Sequence, residues 1–262
     1  MSLGKFFSRE SGPSGPKGRR AYAIGDVHGC LDLLERLLAR IEREIDDEPK
    51  LKASIVFLGD LVDRGPSSAQ VIERLRTYAH PRASTHFVMG NHEEVMLRVI
   101  AGDKDLLTNW LRFGGRETLE SYGIDPKPLK RLESAELAET LCNAIPEAHR
   151  KFIAAFADSI SFGDYVFVHA GVRPGVGLSE QTQYDLRWIR EPFLSDPSDH
   201  GFVVVHGHTI TNEVDVVPNR IGIDTGAYST GVLSALAIER SRRWLIQTNG
   251  EQTDRISFDQ HP

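Results

Sequence analysis

The chain has 262 residues, 40% of them hydrophobic and 26% charged, with a formal net charge of −6. This length and composition exclude a fibrous or disordered polypeptide and leave room for one large domain with a full core. Cys30 and Cys142 are the only cysteines, which excludes a disulfide framework and a thiolate zinc site and fits a cytoplasmic compartment.

Residues 1–20 carry Lys5, Arg9, Lys17, Arg19 and Arg20 against Glu10, which leaves +4 in this tail and −10 in the remainder. Diluted in Ser, Gly and Pro, these cations read as a disordered basic leader without the apolar core or cleavage site of a signal peptide. The acidic remainder is a poor match to duplex nucleic acid, and the longest apolar runs have strand length, too short to span a membrane.

The run 21–24 reads as a buried strand ending in Gly25-Asp26-Val27-His28-Gly29, after which Leu31, Leu34, Leu37, Leu38 and Ile41 recur at helical spacing. Cys30 starts this helix, where a thiol pKa tends to fall, and reads as a small packed residue. The run 55–58 is a second strand, ending in Gly59-Asp60-Leu61-Val62-Asp63-Arg64-Gly65-Pro66. A helix from near Ser67 follows and should end before Pro81. A third strand over 86–89 stops at Gly90-Asn91-His92-Glu93, where another helix begins. Three repeats of strand, polar loop and helix imply parallel strands whose loops gather at one sheet edge.

From 95 to 157 the pattern is helical, broken at Gly114-Gly115, Tyr122-Gly123, Pro126 and Pro128, and reads as a helical insertion. Its segment 109–113 has two readings: a wall over the site, or the core of a structural layer with Trp110 and Phe113 inside. Strands dominate the rest. A hairpin, Ser159–Phe162 and Tyr165–Val168, turns at Gly163-Asp164 and ends in His169-Ala170-Gly171. The run 202–205 ends in His206-Gly207-His208-Thr209, and further strands cover 220–223, 232–238 and 244–248. The expected fold is α/β (α+β): a single domain over 21–250 with two packed mixed sheets flanked by helices, then a C-terminal tail over 251–262.

Asp26, His28, Asp60, Asn91, His169 and His208 each lie at or just beyond a strand end. Carboxylate, imidazole and amide oxygen suit Mn, Fe or Zn, and six such donors hold two ions if one carboxylate bridges. A paired site of this kind serves in-line phosphoryl displacement by hydrolysis. Singly, each segment reads equally well as a turn, a cap or a buried histidine. Five of them, each ending a strand, read as a site.

In order and spacing, the segments at 25–29, 59–66, 90–93, 169–171 and 206–209 resemble the signature set of the phosphoprotein phosphatase family, as in bacterial serine/threonine phosphatases, within the calcineurin-like metallophosphoesterases. The resemblance implies two divalent ions, Mn first with Fe or Zn as alternatives. Asp26 and His28 would hold one, Asn91, His169 and His208 the other, with Asp60 as the bridge. It implies His92 as proton donor held by Asp63, and Arg64 on the phosphate oxygens. A second phosphate arginine is implied, with Arg190 chosen and Arg187 its competitor. Ile210 stands where the wider superfamily carries a further histidine ligand, so His206 is a second-layer or structural residue; Asp224 orients a ligand or makes a turn.

The implied activity is hydrolysis of phosphoserine, phosphothreonine or phosphotyrosine in proteins, by attack of a metal-bridging hydroxide. The alternative is a dinucleoside polyphosphate hydrolase, acting for example on diadenosine tetraphosphate. Asp63 and Glu93 look like the protein phosphatase pattern, whereas the symmetrical tetraphosphate hydrolases carry Ala and Asp there. A phosphoprotein or a small phosphorylated substrate is the expected partner, with no membrane and no nucleic acid.

Overall fold

Alternation along the first strand sets the layering. In β1 (Arg19–Ile24) Ala21 and Ala23 face one way and Tyr22 and Ile24 the other, and all four are fully buried, so the strand is covered on both faces. The computed structural model describes residues 12–249 and the strand 252–257. After β1 come α1 (Leu31–Asp47), β2 (Lys52–Phe57), α2 (Ser68–Arg76), β3 (Ala83–Phe87) and α3 (Asn91–Ile100), with β1, β2 and β3 paired in parallel.

The middle of the chain is helical: α4 (Lys104–Trp110), a π-helical turn (Leu111–Gly115), α5 (Arg116–Ser121), α6 (Pro126–Leu129), α7 (Ser134–Ala144) and α8 (Glu147–Ala154). Then follow β4 (Ser159–Phe162), β5 (Tyr165–Val168), α9 (Gln183–Trp188), β6 (Val203–His206), β7 (Asp215–Val217), β8 (Arg220–Gly222), α10 (Ala227–Thr230), β9 (Ser234–Glu239), β10 (Arg242–Asn249) and β11 (Gln252–Ser257).

Two mixed sheets result, in the orders β11-β10-β9-β1-β2-β3 and β4-β5-β6-β8-β7. Ala21, Ala23, Val56 and Leu58 meet Phe167, Val205, Ile221 and Ile223 in one apolar layer between them. The outer face of the first sheet, through Tyr22, Ile24, Ile55 and Phe57, packs with Leu34, Leu37 and Leu38 of α1. The outer face of the second, through Val166, Val168 and Val204, is covered by Leu186 and Phe193. This is a helix, sheet, sheet, helix stack of the α/β class.

Several boundaries differ from the sequence reading. β1 begins at Arg19, inside the expected leader. Just ahead of it, the Ser14 N–H donates to Asp164 Oδ2 at 3.0 Å and the Tyr165 hydroxyl to the Pro13 carbonyl at 3.1 Å. Residues 1–11 of that leader lie outside the described residues. The expected tail contributes β11, paired along β10; its sequence QTDRIS has one aliphatic residue and gave no alternating apolar signal, as is common at sheet edges. β3 ends at Phe87, and beyond it the Met89 N–H bonds the Ala157 carbonyl at 2.8 Å. The apolar character of Val88 and Met89 reflects burial beyond the strand. β7 and α9 are short elements in stretches to which the sequence reading assigns no element. Among the described residues no helix is long and apolar enough to cross a membrane.

Candidate active site

The loops that follow β1, β2, β3, β5 and β6 converge, and their backbones are unusual. His28, Asp60, Asp63, Arg64 and His208 have φ of 44°, 49°, 72°, 71° and 64°, and the only other non-glycine residue with positive φ among those described is Arg240. Such left-handed conformations cost on the order of 1–3 kcal/mol each and need outside support. Much of it comes from Glu93. Its Oε2 accepts from the N–H groups of Asp60 at 2.8 Å and Gly90 at 3.1 Å, and its Oε1 from those of Leu61 at 2.7 Å and Val62 at 3.2 Å. Burial, then the charge of Asp60, pushes its carboxyl up to about 7.

Asp60 lies between two groups of potential donors. Its Oδ2 is 3.6 Å from His28 Nε2 and 3.8 Å from His92 Nε2, while its Oδ1 is 3.4 Å from His169 Nε2. His28, Asp60 and His92 form one cluster of ligand-type atoms, and Asp60, His169 and His208 another. Asn91 joins the second: its Oδ1 is 2.8 Å from His169 Nε2 and 2.9 Å from His208 Nδ1. Asp26 belongs to neither tight cluster. It is buried beside the His208 loop, with Oδ2 accepting from the His208 N–H at 3.0 Å and Oδ1 without a hydrogen-bond partner. The approach is possible because residue 207 is glycine; a Cβ there would sit 2.0 Å from Asp26 Oδ1.

The donor chemistry fits divalent ions. His28 Nδ1 faces the Val62 carbonyl at 2.7 Å and His169 Nδ1 the Leu58 carbonyl at 2.8 Å, so each ring donates outward and turns Nε2 inward, the arrangement that prepares a ligand. Burial lowers His28 to about 3 and His208 to about 2, which leaves both rings neutral with a free lone pair. Asp26 is raised well above the carboxylate range by burial and then by Asp224 and Asp60, a repulsion that a bound cation relieves. His169 moves the other way: burial opposes its charge, but Asp60 prevails and raises its pKa. A proton and a divalent ion therefore compete for the space between Asn91, Asp60 and His169.

His92 stands apart in its support. Its Nδ1 donates to Asp63 Oδ2 at 2.6 Å, and its Nε2 lies 3.4 Å from Arg64 Nη2. Burial lowers its pKa, but Asp60 and Asp63 together raise it to about 9. Asp63 is itself held from the helical segment: Trp110 Nε1 donates to Oδ2 at 2.9 Å, and Thr118 Oγ1 to Oδ1 at 2.6 Å. The Arg64 N–H donates to the Gly114 carbonyl at 3.1 Å, and a Cβ on Gly114, whose φ is 115°, would lie 2.4 Å from the Arg64 nitrogen. Both readings of the segment 109–113 therefore apply, one to each ring. Trp110 is buried against the site's own carboxylate, whereas Phe113 is exposed and lines cavities on either side.

Arg64 is further fixed by Tyr228, whose hydroxyl accepts from Nη1 at 2.5 Å and over whose ring the guanidinium lies at 4.7 Å. Nothing in the sequence marks Tyr228 or Thr118 as site residues, because each arrives from a distant element, and the reading of the segment 109–113 as a wall gives Trp110 no carboxylate partner. Arg187 is occupied by Asp158 at 2.6 Å and Glu94 at 3.2 Å. Arg190 is exposed, lines the cavity beside His92 and makes one long contact, 3.5 Å, to the His208 carbonyl. His206 is buried at the end of β6, edge-on to Phe193. Asp224 makes a turn, its Oδ1 accepting from the Gly226 N–H at 2.9 Å.

Carboxylates and imidazoles gathered at strand ends between two mixed sheets define a hydrolase of the metallophosphoesterase class. The chain belongs to the calcineurin-like phosphoesterase family, whose model matches residues 19–231. It is 28% identical over 221 residues to the asymmetrical bis(5'-nucleosyl)-tetraphosphatase PrpE of Bacillus subtilis (strain 168), covering 78% of this chain and 84% of that one. A symmetrical bis(5'-nucleosyl)-tetraphosphatase of Yersinia enterocolitica is 38% identical, but over 108 residues, 35% of this chain and 34% of that one. Among solved structures, a candidate diadenosine tetraphosphatase matches with a TM-score of 0.58 at 20% identity, covering 92% of this chain and 95% of that one. A cold-active protein-tyrosine phosphatase of a psychrophilic Shewanella species matches with 0.56 at 19%, covering 90% and 80%. Both likenesses are of fold.

Glu93→Gln replaces one acceptor oxygen by a donor and strands two buried N–H groups, at roughly 1–3 kcal/mol each. Its urea midpoint should fall accordingly, while Glu93→Asp retains both acceptors on a shorter arm and should lose less. Metal uptake should release protons, seen as a dependence of the calorimetric enthalpy on buffer ionisation heat, and affinity should weaken on acidification as His169 holds its proton. Thr118→Ala and Trp110→Phe should each slow the hydrolysis of esters with poor leaving groups about tenfold while sparing p-nitrophenyl phosphate, and Thr118→Ser should restore the rate.

Proposed function

We propose that the protein hydrolyses dinucleoside polyphosphates unequally, diadenosine tetraphosphate being the model substrate. The observation that carries this reading is that Arg64 and Phe113 line both a cavity of about 390 Å³ and a wide, open depression of about 730 Å³. A phosphate at Arg64 has room for a substituent on each side, which a dinucleoside uses and a phosphomonoester does not. The similarity to PrpE along most of both chains supports the same substrate class.

Asp26, His28 and Asp60 would hold one divalent ion and Asp60, Asn91, His169 and His208 the other. When bound, the ions supply an activated water nucleophile and neutralise charge on the phosphate. The protein's own groups do the rest. Arg64, oriented by Tyr228, and Arg190 grip the non-bridging oxygens and hold the charge that grows during displacement. His92 delivers the Nε2 proton to the departing oxygen, and Asp63 keeps the ring in position and stabilises its charged form. Water adds to phosphorus, one P–O bond breaks, and the departing oxygen leaves protonated.

A phosphoprotein remains the comparison substrate because the Asp63–His92 pair suits a poor alkoxide leaving group. Purified protein loaded with Mn, Fe or Zn should turn over diadenosine tetraphosphate to adenosine triphosphate and monophosphate much faster than a phosphoserine peptide; the reverse ranking would overturn the choice. His92→Asn should retain its metals by elemental analysis and lose about 10²–10⁴-fold on alkyl phosphates, with a far smaller loss on p-nitrophenyl phosphate.

A further inference from the structure

Phe113 exposes 58% of its surface on a π-helical turn that also carries Gly114 in a left-handed conformation. An aromatic ring held out on a distorted turn is not serving a core. It lines both cavities, and those cavities differ in character. The smaller is lined by His92 and Arg190, by Asn91 and His208 of the second donor group, and by Asn109, Trp188 and Phe113. No carboxylate lines it. The larger carries Arg112 and Arg116 beside Arg64, with Glu117 as its one acid.

We propose that the smaller cavity is the leaving-group chamber and takes a nucleoside monophosphate, its base stacked by Phe113 and Trp188, while the basic cavity retains the longer polyphosphate. This deepens the dinucleoside polyphosphate reading and rests on it. In an in-line displacement the proton donor stands on the side of the departing oxygen, and His92 lines the small cavity and not the large one. The departing portion therefore lies in the small cavity. Its lining suits a flat ring joined to an anion: the ring meets Phe113 and Trp188, the amide of Asn109 can pair with a base edge, and the monophosphate lies next to the phosphorus that Arg64 and Arg190 grip. At about 390 Å³ the cavity is near the lower end of ligand sites, roughly 300–1,000 Å³. A serine or threonine alkoxide would leave both rings uncovered.

The chemistry follows from that placement. Water loses a proton to solvent and attacks the second phosphorus of the tetraphosphate chain, the bond from that phosphorus to the bridging oxygen of the terminal nucleoside monophosphate breaks, and the oxygen takes the His92 proton, which solvent then restores. The oxygen from water stays with the triphosphate.

Hydrolysis of diadenosine tetraphosphate by the Mn-loaded protein in ¹⁸O-water should put the label in adenosine triphosphate and none in the monophosphate; label in the monophosphate would overturn the assignment. A second measurement needs no dinucleotide turnover. Adenosine monophosphate should inhibit p-nitrophenyl phosphate hydrolysis more strongly than inorganic phosphate does. Phe113→Ala and Trp188→Ala should each weaken that inhibition about tenfold, the loss of one stacked base, with less than a twofold change for phosphate. Phe113→Trp should restore it. Equal shifts for both inhibitors, or none, would overturn the chamber. Strong Phe113-dependent inhibition in a protein that does not cleave the dinucleotide would support the chamber and reject the substrate reading instead. Because Phe113 is exposed, its truncation removes no core contact.

Discussion

The geometry of this site depends on one buried carboxylate that is neither a metal-type ligand nor a phosphate contact. Glu93 gathers four backbone N–H groups from two loops, three of them consecutive in the loop after β2. With them it fixes the turn that places Asp60 toward the histidines and Asp63 toward His92. A carboxylate within the field of Asp60 is costly to bury, and its elevated pKa records that cost. The charges of His169 and His92 partly offset that repulsion. Glu93 was first read as a mark of substrate preference. The structure gives it a loop-holding role instead, which either substrate would require.

The helical segment from α4 to α5 is continuous with the chemistry. Trp110 and Thr118 grip the two oxygens of Asp63, and Thr118 Oγ1 also accepts the Asp63 N–H at 2.8 Å. The Gly114 carbonyl accepts from Arg64. The loop after β2 is thus clamped from one side by Glu93 and from the other by this segment. His92 and Arg64 inherit their positions from both. The same segment that stabilises Asp63 also presents Phe113 to the cavities, so orientation of the acid and shaping of the substrate space are properties of one stretch of chain.

Much of the frame was legible in the sequence. Apolar runs that stop at Gly-Asp, Gly-Asn or His mark strand ends by composition alone, because a buried strand must be apolar and its exit must tolerate unusual backbone angles. The six expected ligand residues all lie in the described site, although Asp26 sits outside the two tightest donor clusters. The contacts of Trp110, Thr118 and Tyr228 were not legible, although one reading of the segment holding Trp110 makes it a wall. These residues meet their partners across separations of 47, 55 and 164 residues, and local pattern carries no trace of such contacts. β11 was missed for a different reason, since a polar edge strand has no alternating apolar signal to read. Nor does the sequence show that Arg187 is engaged by two carboxylates while Arg190 is exposed.

The left-handed residues bear on how such a chain changes over descent. His28, Asp60, Asp63, Arg64 and His208 hold their conformations against intrinsic preference, and glycine would occupy each at lower conformational cost. A lineage that had given up hydrolysis would be drawn toward glycine or asparagine at these positions, since each relaxation would add stability with nothing to oppose it. Five strained, chemically specific side chains kept together are therefore a stability cost that this site carries and that a scaffold without chemistry would have no reason to carry.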